Sequence, residues 1–229
     1  MSIDGSNPKL AGSNLIDAVP QTGKCPNGCE ECFYNRAFYR PLDTPLLPSD
    51  EEAAGKIVRV NSGHDSNLDR DKVIAATSRY PQRFYNTSIA NFAFPAPVVF
   101  TCNGREPLFV DVTPNVMFVR VRYNPWDLVE QDALVGHYLE QGVPVVLTWM
   151  RYYSSEAIPG GYRSDFVHGT HLLNEYWKLR PGMKVRLARQ YAGTGVRQCG
   201  VPWSSLCVDC RNCEFLYWEC MRRLGHAAD

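Results

Sequence analysis

The sequence lacks any apolar run long enough to cross a bilayer, and it lacks an excess of charge of either sign. Its 229 residues contain 24 Lys and Arg against 24 Asp and Glu, so the formal net charge at neutral pH is zero. A balanced chain has no overall positive field of the kind that marks a general nucleic-acid binder. Residues 1–11 also lack the charged-then-apolar layout of a secretory signal. We therefore expect a cytoplasmic protein without membrane insertion or general nucleic-acid binding.

Internal repeats and low-complexity segments are missing as well. Short apolar runs instead alternate with helical patterns, and this order predicts parallel β/α units. Strands are expected over 14–19, 56–60, 97–101, 116–123, 143–150 and 183–189. Helices are expected to begin at Ser49 or Asp50, to cover 68–79 and 126–141, and to run from Asp165 or Thr170 to Leu179. The aromatic segment 82–96 is expected to be an insertion or an extra strand.

Cysteine is the residue that the sequence has in excess. The chain has nine cysteines, an odd number, and they are clustered in the sequence. Both features argue against a secreted disulfide framework and favour metal binding in a reducing compartment.

The first cluster is Cys25, Cys29 and Cys32, with three and then two residues between them. Three thiolates this close in sequence can hold one soft metal ion or one iron–sulfur cluster. They leave a fourth position that a ligand from outside the protein could take. A zinc knuckle, or thiols that bind nothing, are the alternatives.

The second cluster lies near the C-terminus, where Cys207, Cys210 and Cys213 have ferredoxin-like spacing. A closed site needs one more ligand. Cys220 follows Cys213 by seven predicted helical residues, a rise of about 10 Å, which is long for two ligands of one cluster. Cys199 lies in a Gly- and Pro-containing loop that can fold back. We therefore favour Cys199, Cys207, Cys210 and Cys213 as one site, with structural zinc as the alternative to iron and sulfide.

The three-cysteine loop after a first strand, on a chain of β/α units, resembles the radical S-adenosylmethionine superfamily. The resemblance implies a compact partial (β/α)6 TIM-like barrel over residues 1–190, followed by a cysteine-rich extension over 191–229. It implies that Cys25, Cys29 and Cys32 bind a [4Fe-4S] cluster whose open iron chelates S-adenosylmethionine. One electron then cleaves the sulfonium bond, and a 5′-deoxyadenosyl radical takes a hydrogen atom from the substrate. A second, auxiliary cluster in the extension is similar to those of several members.

The resemblance also implies partners and further site residues. A flavodoxin or ferredoxin would donate the electron, and the substrate would be a small molecule or a group borne on a carrier. The implied cofactor-binding residues are aromatic residues after the third cysteine, a polar loop where the family has Gly-Gly-Glu, and polar side chains at later strand ends. In this sequence they are Phe33, Tyr34, Ser62, Gly63, His64, Asp65, Asn103, Arg120 and Arg122.

Strand ends are also where general principles predict ligand sites in parallel sheets. Arg120 and Arg122 share one face of their expected strand, and an arginine there could pair with a cofactor carboxylate. No residue stands out as an acid or base that acts on the substrate. The alternative function is that of a non-catalytic protein whose zinc or iron–sulfur sites serve interaction or electron transfer.

Overall fold

The computed structural model describes residues 7–29, 31–32, 34, 42–103, 108–171 and 174–226. In chain order its strands and helices are β1 (Leu15–Ala18), α1 (Asp50–Ala53), β2 (Ile57–Val60), α2 (Arg70–Thr77), β3 (Arg83–Thr87), β4 (Val98–Cys102), β5 (Val116–Tyr123), α3 (Leu128–Glu140), β6 (Val145–Trp149), β7 (Arg151–Tyr152), β8 (Phe166–His171), β9 (Asn174–Leu179), α4 (Pro181–Arg189), β10 (Arg197–Gln198), α5 (Cys207–Cys210) and α6 (Asn212–Arg223).

The main sheet is parallel throughout and, in the described part of the chain, has seven strands. Their order in space is β1-β2-β3-β4-β5-β6-β10, which is also their order along the chain. The sheet curls into a half-barrel. This result confirms the expected α/β class and is compatible with a partial barrel. Helices α2, α3 and α4 lie on the outer face of the curl, where right-handed crossovers between parallel strands place connecting helices.

The outer face of the sheet holds the larger hydrophobic cluster. Alternate strand residues such as Val60, Phe100 and Val121 point to this side, where they pack with helices α2, α3 and α4. From the helices, Leu134 and Met183 reach the same cluster. This is the ordinary arrangement of β/α units, in which each crossover helix buries its apolar stripe against the sheet.

The inner face of the sheet is covered by the last helix of the chain. The other set of alternate strand residues, including Ile57, Val99 and Phe118, packs against Leu216 and Tyr217 of α6. These residues lie toward the amino ends of the strands. Helix α6 therefore closes the inside of the half-barrel at the amino ends of the strands, and we call the opposite end, at their carboxyl ends, its mouth.

Most of the expected strands are found in the main sheet, and two predictions for later segments are wrong. Strands β1, β2, β4, β5 and β6 lie where expected, and segment 82–96 supplies the third strand, β3. The expected helix up to Leu179 is instead the antiparallel pair β8 and β9, which a short third strand, β7, extends. Its register pairs Phe166 with Leu179 and His168 with Trp177. Aromatic and β-branched residues favour such cross-strand pairs over a helix.

The expected strand over 183–189 is helix α4. Apolar and basic residues alternate in this segment, which matches a strand. However, Met183 and Leu187 are the buried residues, and their spacing of four is that of a helix. Pro181 occupies the first helical position, where its missing N–H costs nothing. Arg189 consequently lies at the end of a helix and not at a strand end.

The described helices include none with the length and apolarity that crossing a membrane requires.

Candidate metal centres

The loop that carries the first three cysteines leaves the carboxyl end of β1 and stays at the mouth of the half-barrel. Two backbone bridges fix its ends, Val19 with Leu46 and Gly23 with Leu42. Between the first two cysteines Gly28 takes a φ of +57°, a left-handed conformation that glycine adopts without strain. The three thiols are close enough that Cys29 interacts electrostatically with both Cys25 and Cys32. Burial raises the pKa of Cys25 and of Cys29.

Polar residues from two neighbouring strand ends reach the middle thiol of this loop. The side-chain amide of Asn103, directly after β4, donates to the sulfur of Cys29 at 2.9 Å. The hydroxyl of Ser88, directly after β3, lies 4.0 Å from the same sulfur and accepts from Asn27 at 2.8 Å. The predicted residue Asn103 is thus adjacent to the predicted cluster loop. Ser88 was missed because segment 82–96 was not assigned as a strand of the main sheet.

The loop after β2, Ser62 to Asp65, packs beside the cysteine loop. The carboxylate of Asp65 accepts hydrogen bonds from the Thr87 hydroxyl at 2.7 Å and from the backbone N–H and hydroxyl of Ser88 at 2.6 and 2.7 Å. Its side chain is buried. Asp65 therefore uses its oxygens to tie this loop to the end of β3, and through Ser88 to the surroundings of Cys29.

Tyr34 fills the space between these two loops. Its ring is 1% exposed and packs edge-on to His64, with ring centroids 4.9 Å apart. Gly63 makes this packing possible, because a Cβ atom there would lie 2.4 Å from the Tyr34 ring. His64 in turn contacts the carbonyl oxygen of Gly23 at 3.0 Å, and burial lowers its pKa. Phe33, the other predicted aromatic contact, lies outside the described residues.

Arg120 and Arg122 point into the half-barrel from β5, on the same side as Phe118, as their spacing predicted. Arg120 donates to the hydroxyl of Thr101 at 3.2 Å, and no carboxylate of the described residues lies within ion-pair distance of it. Arg122 donates to the backbone oxygen of Asn103 at 3.2 Å. Arg122 therefore supports the residue whose side chain reaches Cys29.

A buried ion pair on the inner face escaped the sequence analysis. Arg59 of β2 donates to the carboxylate of Asp17 on the neighbouring strand β1 at 2.6 and 3.1 Å. Ser62 donates to the same carboxylate at 2.9 Å. Burial alone would lower the pKa of Arg59, but the charge and hydrogen bonds of Asp17 outweigh that effect and raise it. The sequence could have suggested this pair, because each of the two short apolar strands contains one charged residue. Charged residues in such strands are rarely buried unless they are paired.

The C-terminal cysteines gather at the inner side of the sheet, next to α6. Cys199 directly follows β10, and its backbone N–H donates to Leu147 of β6 at 2.8 Å. Cys207 and Cys210 are the ends of α5, and Cys213 is in the first turn of α6. Cys207 interacts electrostatically with Cys199 and Cys210, and Cys213 with Cys199 and Cys207.

Cys220 is the cysteine of α6 that stands apart from this group. It is fully buried in the core beneath the helix, and its thiol faces the backbone oxygen of Asn115 at 3.8 Å. The charged groups that affect it are Arg223 and Glu219, and no cysteine is among them. Cys199, Cys207, Cys210 and Cys213 are thus neighbours, whereas Cys220 packs as a small apolar residue.

Positive side chains surround the C-terminal thiols. Arg59 faces both Cys207 and Cys213, Arg120 faces Cys213, and Lys9 faces Cys207. Burial raises the pKa of Cys213 to about 12, while the nearby cations act in the opposite direction. Arg59 and Arg120 favour the deprotonated thiols that bind metal, whereas burial lowers the pKa of Lys9.

As the side chains stand, no group of three His, Cys, Asp or Glu residues within the described ranges is close enough together to hold a metal ion. Neither set of cysteines is therefore preformed at ligand distances. The chemistry of the donors, soft thiols in two compact sets, still fits iron–sulfur or zinc centres.

No protein-family model, no curated protein and no solved structure matches this chain. The geometry of the two cysteine sets and of their neighbours is what bears on function.

Proposed function

We propose that this protein is a radical S-adenosylmethionine enzyme. Cys25, Cys29 and Cys32 would hold its catalytic [4Fe-4S] cluster. The observation that carries the proposal is the location of this loop at the carboxyl edge of a curled parallel sheet, where ligand sites of such sheets gather. The contact between the Asn103 amide and the sulfur of Cys29 supports it, because an N–H donor stabilises a thiolate ligand.

The three thiols of the cysteine loop fit a cluster with one iron open to an outside ligand better than a cluster with four protein ligands. Three thiols come from one loop, and the polar side chains beside them, in particular Asp65, are engaged elsewhere. When bound, such a cluster would supply the electron that cleaves the sulfonium bond of S-adenosylmethionine at its open iron. Everything else in the reaction is binding and orientation by the chain itself.

Two arginines are suited to hold the carboxylate of the cofactor. Arg122 lies against the backbone of Asn103, close to the cysteine loop, and Arg120 lies one step deeper on the same strand face. A guanidinium group can bind a carboxylate through two parallel hydrogen bonds. A carboxylate or a phosphate group of the substrate could also bind to these two arginines.

Helix α6 limits how a substrate could enter. Because it packs against the lower inner wall at Ile57, Val99 and Phe118, the half-barrel is filled at the amino ends of its strands. A substrate would therefore enter beside the cysteine loop. This geometry favours a small molecule, or a small group that a carrier presents, over a large polymer.

The C-terminal set, Cys199, Cys207, Cys210 and Cys213, would hold an auxiliary [4Fe-4S] cluster with four protein ligands. The support is that these four thiols influence one another and are surrounded by Arg59, Arg120 and Lys9. A fully ligated cluster has no open iron, so its role would be electron transfer or structure.

Electron paramagnetic resonance separates the two centres. We expect the reduced, anaerobically reconstituted protein to show two cluster signals, of which one changes when S-adenosylmethionine is added. The Cys29→Ala variant should lose the signal that responds, and the Cys210→Ala variant should keep it. If neither signal responds to S-adenosylmethionine in a protein that holds both clusters, the proposed open site is absent.

A second function, that of a non-catalytic zinc protein, is favoured by one observation. The C-terminal set consists of four cysteine thiols, and tetrahedral zinc takes four such ligands. Metal analysis of the protein purified without added iron distinguishes the two functions. Zinc without iron or sulfide would support the non-catalytic function.

A further inference from the structure

Four positive side chains from different parts of the chain lie close to one another. They are Lys9, in the segment before β1, Arg151 of β7, Lys178 of β9 and Lys184 of α4, and we call them the basic quartet. Lys184 interacts electrostatically with each of the other three members and with Cys199, and Lys9 also interacts with Arg151. The fold therefore brings together positive charges that are far apart in the sequence.

The small antiparallel sheet β7-β9-β8 supplies two members of the quartet. Arg151 and Lys178 are directly paired across strands β7 and β9, so their side chains leave the same face of the sheet. Like charges that face each other in this way destabilise a sheet. Val167, the partner of Lys178 on β8, is apolar and offers no counter-charge. A bound anion would offset the repulsion between the two cations.

The side chain of Arg151 is also held in position. Its guanidinium group lies over the ring of Tyr176, 5.1 Å from the ring centroid. Tyr176 in turn packs against its cross-strand partner Gly169, where a Cβ atom would lie 2.8 Å from the ring. Stacking on an aromatic ring leaves the edge of a guanidinium group able to donate hydrogen bonds to a planar or tetrahedral anion. Arg151 is therefore oriented as an anion-binding arginine is.

Lys184 occupies a second unfavourable position. It is the fourth residue of α4, near the end where the helix dipole favours negative side chains over positive ones. The first turn of this helix contains no acidic residue, and its cap residue Arg180 makes no side-chain hydrogen bond to it. Proteins depart from such local rules mainly at functional sites. Both the strand pair and the helix end thus accept a cost that an anionic ligand would remove.

No carboxylate neutralises the quartet within the described ranges. The ion pairs found there involve other residues, and none of the four members lies within ion-pair distance of an Asp or Glu. Glu175 of β9 pairs with His168 at 3.8 Å. The two-residue period of a strand places Glu175 on the face opposite to Lys178. The quartet therefore keeps its positive charge.

The C-terminal thiols do not account for the quartet either. The cations that act most strongly on Cys207 and Cys213 are Arg59, Arg120 and Lys9. The other three members of the quartet are not among them. A metal centre at those cysteines would consequently leave most of the quartet without a counter-charge.

Solvent reaches the quartet from the side of Lys9. Lys9 is exposed, whereas the other three members are half-buried. Enough protein nevertheless surrounds Lys9 that burial lowers its pKa, so its amine lies at the rim of a recess and not on a convex surface. A ligand that entered past Lys9 would meet the remaining three cations behind it.

We propose that the basic quartet binds the phosphate group of a small phosphate ester, and that this ester is the substrate. The second part rests on the proposed function and names its substrate class. A phosphate ester has a charge of about −1.5 to −2 at neutral pH, and its oxygens accept several hydrogen bonds at once. Arg151 would bind two of these oxygens, and the three ammonium groups would supply further positive charge.

The position of the quartet suits a substrate of the proposed catalytic centre. Strand β7 begins two residues after the end of β6, at the mouth of the half-barrel. Tyr152, next to Arg151, interacts electrostatically with Arg122 and with Glu31 of the cysteine loop. An ester held at Arg151 by its phosphate would therefore lie close to that loop.

A small ester fits this arrangement better than a nucleic acid does. A protein that binds the phosphate backbone of a polymer needs positive charge spread over an exposed surface, and this chain is neutral overall. Three of the four cations here are half-buried and converge on one place. Such an arrangement suits one compact, highly charged group.

The test measures the binding of glycerol 3-phosphate to the full-length protein by calorimetry in low-salt buffer. The variants are Lys184→Gln and Arg151→Gln, which each remove one positive charge from a different element. The matched control is Arg186→Gln, because Arg186 is exposed and lies on another side of helix α4 from Lys184. Inorganic phosphate and a single-stranded RNA are the comparison ligands. Thermal unfolding shows whether each variant is folded, and if one is not, the other carries the comparison.

We expect Lys184→Gln and Arg151→Gln each to weaken the binding of glycerol 3-phosphate at least about tenfold, the effect of losing one hydrogen bond to a charged group. Arg186→Gln should match the unchanged protein. Added salt should weaken the binding, because it screens the charges. Three results would overturn the proposal: no binding to the unchanged protein, equal affinities for all three variants, or tighter binding of RNA or inorganic phosphate than of the ester.

This measurement does not depend on the cleavage of S-adenosylmethionine. If the ester binds at the quartet but the reconstituted protein forms no 5′-deoxyadenosine, the phosphate site stands, while the proposed function fails and with it the role of the ester as substrate. If 5′-deoxyadenosine forms while the ester does not bind, the proposed function stands and the phosphate site fails.

Discussion

At the scale of single residues, the buried ion pair of Asp17 and Arg59 is a structural feature that the sequence analysis missed. The two side chains are 6% and 11% exposed. Arg59 faces Cys207 and Cys213, while Asp17 holds Ser62 of the neighbouring loop. A buried charge without its partner is costly, so this pair constrains both ends of the inner wall.

Asp17→Asn leaves Arg59 buried without a counter-charge. We expect it to lower the free energy of unfolding by about 3–5 kcal/mol, measured by urea denaturation under reducing conditions. The control is Glu214→Gln, which breaks the pair with Arg211, whose side chain is 67% exposed. That change should cost only about 0–1 kcal/mol. Equal losses for the two variants would show that the Asp17 pair is no more important than a surface pair.

Gly63 provides a second test at the residue scale. Gly63→Ala places a Cβ atom 2.4 Å from the ring of Tyr34, so the ring or the loop must move. We expect a loss of about 1–3 kcal/mol in unfolding free energy, as for other overpacked sites. Gly136→Ala is the matched control, because nothing lies within 4 Å of its added Cβ in helix α3. It should stabilise the protein by about 0.5–1 kcal/mol.

A double-mutant cycle identifies the cause of the Gly63 effect. If the clash with the ring is responsible, Gly63→Ala should cost at least about 1 kcal/mol less in a Tyr34→Leu background than in the unchanged protein. An unchanged cost would mean that the loop backbone, and not the ring, opposes the added methyl group.

At the scale of secondary-structure elements, helix α6 determines the shape of the site. Its residues Leu216 and Tyr217 are each 1% exposed and complete the inner core with the lower strand residues. Its first turn supplies Cys213. The helix therefore links the filling of the half-barrel to the position of the C-terminal thiols.

Leu216→Ala tests that link. We expect it to lower the unfolding free energy by about 2–5 kcal/mol, the usual cost of a large-to-small change in a core. Val129→Ala on the exposed side of α3 should change it by less than about 0.5 kcal/mol. The Leu216 variant should also bind metal at the C-terminal cysteines more weakly. Unchanged metal binding despite the lost stability would separate the helix from the site.

The elements also show where sequence reasoning succeeds. Strands β1 and β2, helix α3 and the cysteine loop were predictable, because each has its own pattern of apolar residues and end signals. Segment 183–189 has a pattern that fits both a strand and a helix, and only the burial of Met183 and Leu187 against the sheet decides for the helix. The pair β8 and β9 was missed because each strand is stabilised by the other, and no single-segment pattern records that partner.

At the scale of the whole molecule, the sequence showed the clusters of cysteines but not which distant residues lie beside them. The two cysteine sets were visible from spacing alone. The contact of Asn103 with Cys29 spans 74 positions, and the role of Ser88 depends on β3 being part of the main sheet. The placement of α6 inside the half-barrel was not predictable. The sequence of a helix shows which of its faces is apolar, but not which surface that face packs against.

The most direct measurement is the yield of 5′-deoxyadenosine from S-adenosylmethionine under strictly anaerobic reduction with dithionite. The proposed function predicts the product from protein reconstituted to about eight irons per chain, the content of two four-iron clusters. It predicts none from Cys32→Ala, in which the C-terminal cluster should remain. A fully loaded protein that yields no 5′-deoxyadenosine, or one whose cysteines take up only zinc, would contradict the account.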